Sequence, residues 1–328
     1  MSDRPTVAVV GAGQLGSRHL QSLALLDRKI QVQVVDPNPA SLQTAKRRLA
    51  EIPEGARLDR VDYLTGMAAL APEIDLAIVA TLADVREKAV AELLEKRRVR
   101  SLILEKVLFQ DPVAYDRVGA LLAARGAKAW VNCPRRLSPG FRALRERLAG
   151  GGLLEIAVDG TNWGLASNAI HFLDLAAYFC GRTGFRISAE RLDRELVQGK
   201  RPGFVEFTGT LTADFAGACL LTMTARSGDV VDLEIRVSSG NAKFQIRELM
   251  DTCWVSEAAT GWIRREESFP RMVQSRFGHE PVAALLDGRD CGLTPYAESA
   301  ALHRPMIEAF LAHLGRCGRG NLRMCPIT

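Results

Sequence analysis

The chain has 328 residues, of which 47% are hydrophobic and 25% charged, with a formal net charge of +5. Such a composition is typical of a globular protein, and the length allows two ordinary domains. No apolar run approaches the roughly 20 residues that span a bilayer, and no signal sequence is evident, so we expect a cytoplasmic protein without membrane contact. Basic residues are scattered among acidic ones, which argues against a nucleic-acid partner.

The seven cysteines form neither a C-x-x-C pair nor a Cys/His group with the spacing of metal ligands. Free thiols and no metal site are therefore expected.

A glycine-rich turn near the N-terminus is the most informative motif. Residues 6–10 suit a buried strand, which runs into Gly11-x-Gly13-x-x-Gly16 and then into a helical pattern. Gly11 permits the sharp turn, Gly13 lets the backbone approach a pyrophosphate, and Gly16 lets the helix pack on its strand. The helix start offers N–H groups and partial positive charge to phosphates. We predict a dinucleotide-binding turn; the alternative is an ordinary turn without a ligand.

A carboxylate follows the second predicted strand, residues 31–35. Asp36 comes 20 residues after Gly16, the distance at which an acid accepts hydrogen bonds from ribose hydroxyls and repels a 2′-phosphate. We therefore favour NAD(H) as cofactor, with NADP(H) left open.

Strands and helices then alternate up to about residue 130, which predicts a doubly wound, six-stranded parallel sheet. Ligands of such sheets bind at the carboxyl ends of the strands. Thr81 follows the fourth strand, and Glu105 and Lys106 follow the fifth. The predicted cofactor-binding residues are Gly11, Gly13, Gln14, Leu15, Gly16, Asp36, Thr81, Leu82 and Glu105.

The pattern changes after residue 130, where one helix is followed by neighbouring strands. The predicted strands are 154–160, 203–215, 218–225, 230–238, 242–249 and 252–257. Such runs favour a second, α+β domain with a mainly antiparallel sheet. The prediction is thus an α/β protein with a Rossmann domain at 1–130 and a substrate-binding and oligomerisation domain at 131–328.

One predicted helix, residues 166–180, carries a polar stripe on an otherwise apolar surface. Asn168, His171 and Asp174 are spaced three apart, and Ser167 lies four before the histidine. Buried without partners, such a stripe would cost on the order of a few kcal/mol. A histidine satisfied within the core is one interpretation, as is a surface salt bridge for Lys106. The other is a dehydrogenase, in which histidine passes a proton and lysine polarises a carbonyl.

With these residues the chain resembles the glucose-fructose oxidoreductase, inositol dehydrogenase and rhizopine-catabolism family, Gfo/Idh/MocA. The resemblance covers nearly the whole chain. The matching pieces are the glycine motif through His19, Ala80-Thr81, Glu105-Lys106, the 132–139 segment with Arg136 and Pro139, His171-x-x-Asp174, and the closing 295–310 segment.

The resemblance implies an NAD(P)-binding N-terminal domain and an open C-terminal sheet that packs against a partner subunit, hence a homodimer or homotetramer. It implies catalytic roles for Lys106, His171 and Asp174: the lysine contacts the reacting oxygen, and the histidine accepts or donates a proton. We expect the ammonium and the imidazole to meet over the nicotinamide. The family's substrates are mostly sugars, cyclitols and nucleotide-linked sugars.

Three departures from the family pattern stand out. Val107 replaces the proline of Glu-Lys-Pro, and Arg86 occupies the histidine position of the family's Thr-Pro-Asn-x-x-His. Ser167 replaces the aspartate usually found four residues before the histidine. A hydroxyl can orient the imidazole but supplies no charge.

The approach to the helix, residues 162–168, is rich in groups that suit sugars. Tryptophan faces stack on sugar rings and asparagine amides bond hydroxyls, although core packing is an equal alternative for Trp163. The predicted substrate-binding residues are Arg136, Asn162, Trp163 and Asn168.

The function predicted is hydride transfer to or from a carbon of a sugar, cyclitol or sugar-nucleotide, in surface-glycan sugar biosynthesis. Two alternatives are kept. One is a hydrolase or epimerase that retains NAD and oxidises its substrate transiently. The other is a non-catalytic, cofactor-binding protein.

Overall fold

A computed structural model describes residues 4–58, 60–320 and 322–328. It divides into two compact units. The first comprises the chain up to Phe109, with Val113–Asn132 and Met272–Ala297; the second comprises Gln110–Pro112, Cys133–Arg271 and Glu298–Thr328. The 272–297 segment thus packs with the first unit, whereas the sequence placed it in the second domain. As functional domains, the ranges 1–130 and 131–328 stay a prediction.

The first 132 residues alternate strand and helix as predicted. The strands are β1 (Thr6–Val10), β2 (Gln31–Val35), β3 (Val61–Leu64), β4 (Glu73–Val79), β5 (Arg98–Leu104) and β6 (Lys128–Val131). The helices are α1 (Gln14–Leu23), α2 (Pro39–Ala50), α3 (Ala83–Lys96) and α4 (Ala114–Ala124).

Strands dominate the rest of the chain. They are β7 (Leu154–Thr161), β8 (Arg186–Leu192), β9 (Val197–Gln198), β10 (Val205–Glu206), β11 (Gly209–Asp214), β12 (Cys219–Arg226), β13 (Asp232–Ser238), β14 (Ala242–Arg247), β15 (Thr252–Glu257), β16 (Arg265–Ser268) and β17 (Thr294–Pro295). The helices are α5 (Pro139–Leu148), α6 (Leu165–Cys180), α7 (Gln274–Phe277), α8 (His279–Leu286) and α9 (Tyr296–Arg316). Within the described ranges, no helix has the length and apolar character needed to cross a membrane.

The first unit is built on a seven-stranded sheet in the order β17-β6-β5-β4-β1-β2-β3. All neighbours are parallel except β17, which pairs antiparallel with β6. The central strand β1 is buried on both faces, as Val7, Ala8 and Val9 show. A strand covered on both sides is nearly all apolar, which is why the sequence alone predicted a strand at residues 6–10. The predicted Rossmann architecture is confirmed.

The second unit contains an eight-stranded sheet in the order β16-β15-β14-β13-β7-β12-β11-β8. Strands β7 and β12 are parallel, and the other neighbours are antiparallel. Alternate residues such as Ile156 and Val158 are buried on the face against which α6 packs. The predicted, mainly antiparallel sheet is confirmed. The single strand predicted at 203–215 was wrong: β10 and β11 occupy this range, and β10 pairs with β9 instead of joining the large sheet.

The turn between β1 and α1 depends on the absence of side chains. Gly11 has a φ of +94°, and its N–H donates to the Val35 carbonyl at 2.8 Å. A Cβ at Gly16 would lie 1.8 Å from the Gly11 oxygen, whereas one at Gly13 would meet nothing within 4 Å. Gly16 is therefore required for packing, and Gly13 leaves open space beside the turn.

We predict that Gly16→Ala destabilises the protein by roughly 2–4 kcal/mol, because the added methyl collides with backbone. Gly13→Ala is the matched control and should stay within about 1 kcal/mol of wild type. Urea unfolding followed by circular dichroism measures both. Equal stability of the two variants would contradict the packing role of Gly16.

Candidate cofactor and catalytic sites

The predicted cofactor turn holds its carboxylate in place with backbone bonds. Asp36, at the end of β2, accepts a hydrogen bond from the Ala12 N–H at 2.8 Å through Oδ2. Its Oδ1 accepts from the Asn38 N–H, also at 2.8 Å. The carboxylate is therefore fixed beside the glycine turn, as the sequence analysis expected of a ribose-binding acid.

The first turn of α1 carries Gln14 and Leu15, both predicted to contact cofactor. Leu15 is 37% exposed. Gln14 Oε1 accepts from Arg48 Nη2 at 2.7 Å, and Arg48 Nη1 donates to Ser17 Oγ at 2.7 Å. Arg48, on α2, was not predicted, and it places a guanidinium beside the helix start.

The end of β4 forms the other side of the turn. A Cβ at Gly11 would lie 3.0 Å from the Thr81 nitrogen, so the two segments touch through their backbones. Thr81 Oγ1 is buried and has no hydrogen-bond partner among the described residues. Leu82 is the cap residue that precedes α3. A buried, unsatisfied hydroxyl on the segment that touches the Gly11 backbone fits a site built for a polar ligand.

A buried arginine links the ends of β4 and β5. Arg86, 2% exposed, donates to the carbonyls of Val107 and Thr81, and to that of Leu108 at 3.0 Å. The Lys106–Val107 peptide is cis. Arg86 thus binds the segment that follows Lys106, at the position where the sequence departs from the family pattern.

Four polar side chains form a closed ring at the same edge of the sheet. His19 Nε2 contacts Glu105 Oε1 at 2.7 Å, and Asn132 Nδ2 donates to that oxygen at 2.6 Å and to Gln274 Oε1 at 2.8 Å. Gln274 Nε2 lies 3.2 Å from His19 Nδ1. The ring joins α1, β5, β6 and α7, and it fixes the residue directly before Lys106.

Glu105 is only 2% exposed, yet its environment favours the ionised carboxylate. Burial by itself would raise the pKa of this carboxyl, but the hydrogen bond and charge of His19, the hydrogen bond from Asn132 and the charge of Arg86 lower it below its usual value. Glu105, predicted to bind cofactor, therefore serves as the centre of the ring.

In the second unit, α6 places His171 on one face of the helix, between Asn168 and Asp174. His171 is partly buried, and Asp174 is fully buried. Asp174 accepts two bonds from Arg136, at 3.0 Å from Nε and 2.8 Å from Nη2. Such a bidentate pair is strong and fixes its geometry. The structure thus brings together a predicted catalytic residue and a predicted substrate-binding one.

The start of α6 is occupied by a carboxylate that the sequence analysis missed. Glu206, on β10, accepts from the N–H of Ala166 at 2.7 Å and from the Ser167 hydroxyl. The Asn168 amide donates to the Trp163 carbonyl at 2.7 Å. Nothing in the local sequence signalled Glu206, because it lies 39 residues from Ser167.

The predicted sugar-binding residues Asn162 and Trp163 have partners within the second unit. Trp163 is 6% exposed, donates from Nε1 to the Thr224 carbonyl at 2.9 Å, and packs edge-on against Phe172. Asn162 has a φ of +51° and donates to the Gly228 carbonyl. Of the two interpretations of Trp163, burial supports core packing.

The cofactor, catalytic and substrate roles assigned above stay predictions, as does the meeting of Lys106 and His171 over the nicotinamide. Within residues 4–58, 60–320 and 322–328, no group of three or more His, Cys, Asp or Glu side chains could hold a metal ion.

Solved structures with the same fold include three of different kinds. An oxidoreductase from Agrobacterium radiobacter in complex with NAD+, L-tartaric acid and magnesium is 12% identical, with a TM-score of 0.70, over 93% of this chain and 95% of that one. UDP-N-acetylglucosamine 3-dehydrogenase GnnA from Acidithiobacillus ferrooxidans is 16% identical, with a TM-score of 0.66, over 93% and 96%. A super-repressor mutant of Gal80p from Saccharomyces cerevisiae is 14% identical, with a TM-score of 0.72, over 95% and 96%.

At these identities the structural likeness establishes the fold alone. Comparison with curated protein sequences gave no match. A family model described as an oxidoreductase family with an NAD-binding Rossmann fold matches residues 6–133. This range holds the glycine turn, Asp36, Thr81 and three of the four ring residues, His19, Glu105 and Asn132. The NAD-binding N-terminal part of the chain thus matches the Gfo/Idh/MocA oxidoreductase family model.

Proposed function

We propose that the protein is an NAD(H)-dependent oxidoreductase that acts on a hydroxyl-bearing or keto carbon of a sugar, cyclitol or sugar-nucleotide. The observation that carries the proposal is the glycine turn, with open space at Gly13 and the Asp36 carboxylate bonded to Ala12 N–H, inside a matched NAD-binding domain. When bound, the nicotinamide accepts or supplies the hydride. A preference for NAD(H) over NADP(H) is part of the proposal.

Two side chains carry the remaining chemistry in this proposal. Oxidation of a secondary alcohol releases a hydroxyl proton as the hydride leaves, so a base must take it up, and His171 is the proposed base. The carbonyl oxygen develops negative charge in the transition state of reduction, which a nearby cation stabilises; Lys106 is the proposed cation. Glu105 and its ring would hold the Lys106 backbone, and the Arg136–Asp174 pair would hold α6.

The substrate class is argued from likeness in fold and from chemistry. The similarity to GnnA, a UDP-N-acetylglucosamine 3-dehydrogenase, favours sugar-nucleotides within the proposed range. We extend the proposal to a role in surface-glycan sugar biosynthesis and to a homodimer or homotetramer formed through the sheet of the second unit.

A second candidate is a non-catalytic, cofactor-binding protein. It is favoured by the likeness to Gal80p, whose relative from Kluyveromyces lactis is described as a transcriptional regulator, and by Ser167 at the usual aspartate position. Cofactor binding without hydride transfer across a sugar and sugar-nucleotide panel would support it.

For cofactor choice, we predict that the wild-type protein binds NADH more tightly than NADPH, and that Asp36→Asn narrows this preference about tenfold. The variant keeps an oxygen acceptor for Ala12 but removes the charge that repels a 2′-phosphate. Fluorescence titration with both reduced cofactors measures the ratio. An unchanged ratio, with native circular dichroism, would rule out Asp36 as the selecting residue.

For catalysis, we predict that Lys106→Met and His171→Gln each reduce hydride transfer about 100-fold or more, because each removes a group that acts in the transition state. NADH affinity and thermal unfolding should stay close to wild type. Absorbance of the nicotinamide, with a panel of sugars and sugar-nucleotides, gives the rate. Lys88→Met, at an exposed position on α3, is the matched control and should turn over normally.

If Lys106→Met and His171→Gln keep normal rates, the proposed catalytic residues are wrong. Mass spectrometry of the denatured protein distinguishes the proposed dehydrogenase from a hydrolase or epimerase that retains its cofactor. A hydrolase or epimerase of this kind would release co-purified NAD when it is denatured, and it would convert its substrate without forming net NADH.

A further inference from the structure

The face of α6 that carries His171 also carries Ser167 one turn earlier. Residues four apart on a helix lie one above the other, with Cβ atoms about 5–6 Å apart. Helical side chains lean toward the N-terminus, so the imidazole covers the turn to which Ser167 belongs. Whatever charge sits at that turn therefore acts on His171.

A carboxylate is anchored at this turn. Glu206 Oε2 accepts from the backbone N–H of Ala166 at 2.7 Å and of Ser167 at 3.4 Å, and its Oε1 accepts from the Ser167 hydroxyl. The contact from that hydroxyl to the Gly164 carbonyl is longer, at 3.3 Å, and lacks the charge that strengthens the Glu206 bond. An anion at a helix N-terminus is also favoured by the helix dipole. Glu206 is therefore a fixed negative charge.

The backbone makes room for this pair. Gly164 has a φ of +73°, and a Cβ there would lie 3.0 Å from Ser167 Oγ and 3.1 Å from Glu206 Oε1. A larger residue would press on both partners. The sharp entry into α6 is thus matched to the presence of the carboxylate.

The other charged groups on the elements packed against α6 leave Glu206 as the anion available to bias the imidazole. Asp174, one turn after His171, is neutralised by its bidentate pair with Arg136. Arg135 is paired with Glu248 at 2.7 Å and lies over the Phe172 ring. Asp159 on β7 is paired with Arg226 on β12 at 2.7 Å, and Glu155, also on β7, is exposed, between the buried Leu154 and Ile156. Tyr178 on α6 is a phenol, and burial raises the pKa of the two thiols, Cys180 on α6 and Cys219 on β12.

We propose that Glu206 is a positioning residue for His171: it supplies, from a neighbouring strand and through the Ser167 turn, the negative charge that favours a protonated imidazole. This inference rests on the proposed function of His171 as proton carrier. In chemical terms, the Glu206 carboxylate, remote in sequence, raises the basicity of His171, because Ser167 itself brings no charge.

The test is a histidine NMR titration of the full-length protein, which needs no substrate. The chain contains five histidines, and His171→Gln assigns the resonance of interest. In Glu206→Gln, which keeps an oxygen for the backbone N–H groups, the titration midpoint of His171 should move to lower pH by about half a unit or more. The other four histidines should not move. Glu190→Gln, an exposed carboxylate on β8, is the control and should leave His171 unchanged.

Two further variants keep the proposal falsifiable. Ser167→Ala loosens Glu206 while leaving both backbone bonds, so a smaller shift in the same direction is expected, and it replaces Glu206→Gln if that variant does not fold. Ser167→Asp combined with Glu206→Gln restores a charge at the turn and should return the midpoint toward wild type. An unmoved midpoint in folded Glu206→Gln overturns the proposal.

Turnover separates this inference from the function on which it rests. Where hydride transfer is measurable, Glu206→Gln should lower kcat with little change in KM and shift the pH–rate profile with the NMR midpoint. A shifted midpoint in a protein without any turnover would keep the Glu206 inference and remove the proposed oxidoreductase activity.

Discussion

The structure of the first unit depends on how it buries one carboxylate. Glu105 sits at the end of a central strand with 2% exposure, where an unpaired charge would be very costly. His19 and Asn132 share its Oε1, so the helix that follows the glycine turn and the strand β6 are both fixed to the residue before Lys106. The glycine turn, proposed to bind the cofactor phosphates, and Lys106, proposed to act on the substrate, are thereby held at one edge of the sheet.

The second constraint at this edge is the buried guanidinium of Arg86. Its bonds to the carbonyls of Val107, Leu108 and Thr81 join the segments after β4 and β5. From sequence alone, Val107 and Arg86 were two separate departures from the family pattern, and both weakened the expected site. In the structure they belong to one arrangement, because the arginine binds the backbone at the valine.

Elements that depend on residues close together in the sequence could be predicted, and elements that depend on residues far apart could not. The glycine turn, β1, β2 and α6 are specified by neighbouring residues, and their predicted positions are confirmed within two residues. The antiparallel pairing of β17 with β6 joins residues about 160 positions apart, and β8 alternates weakly because most of its side chains are partly exposed. Glu206 and Trp163 show the same limit. The role of each depends on a partner distant in the sequence, Ser167 for Glu206 and Thr224 for Trp163, which hydrophobic periodicity cannot identify.

The pairing of the buried carboxylates Asp174 and Glu105 indicates which polar residues remain available for catalysis. Asp174 had been grouped with His171 as catalytic, yet it is bound at both oxygens by Arg136, and such a pair stabilises geometry better than it exchanges protons. Glu105 is committed to its ring in the same way. The bonds from His19 and Asn132 to Glu105 outweigh the effect of burial and lower the pKa of that carboxyl. The groups that must change protonation or contact substrate are then cations and imidazoles supported by these anions, which is the arrangement proposed for Lys106 and His171.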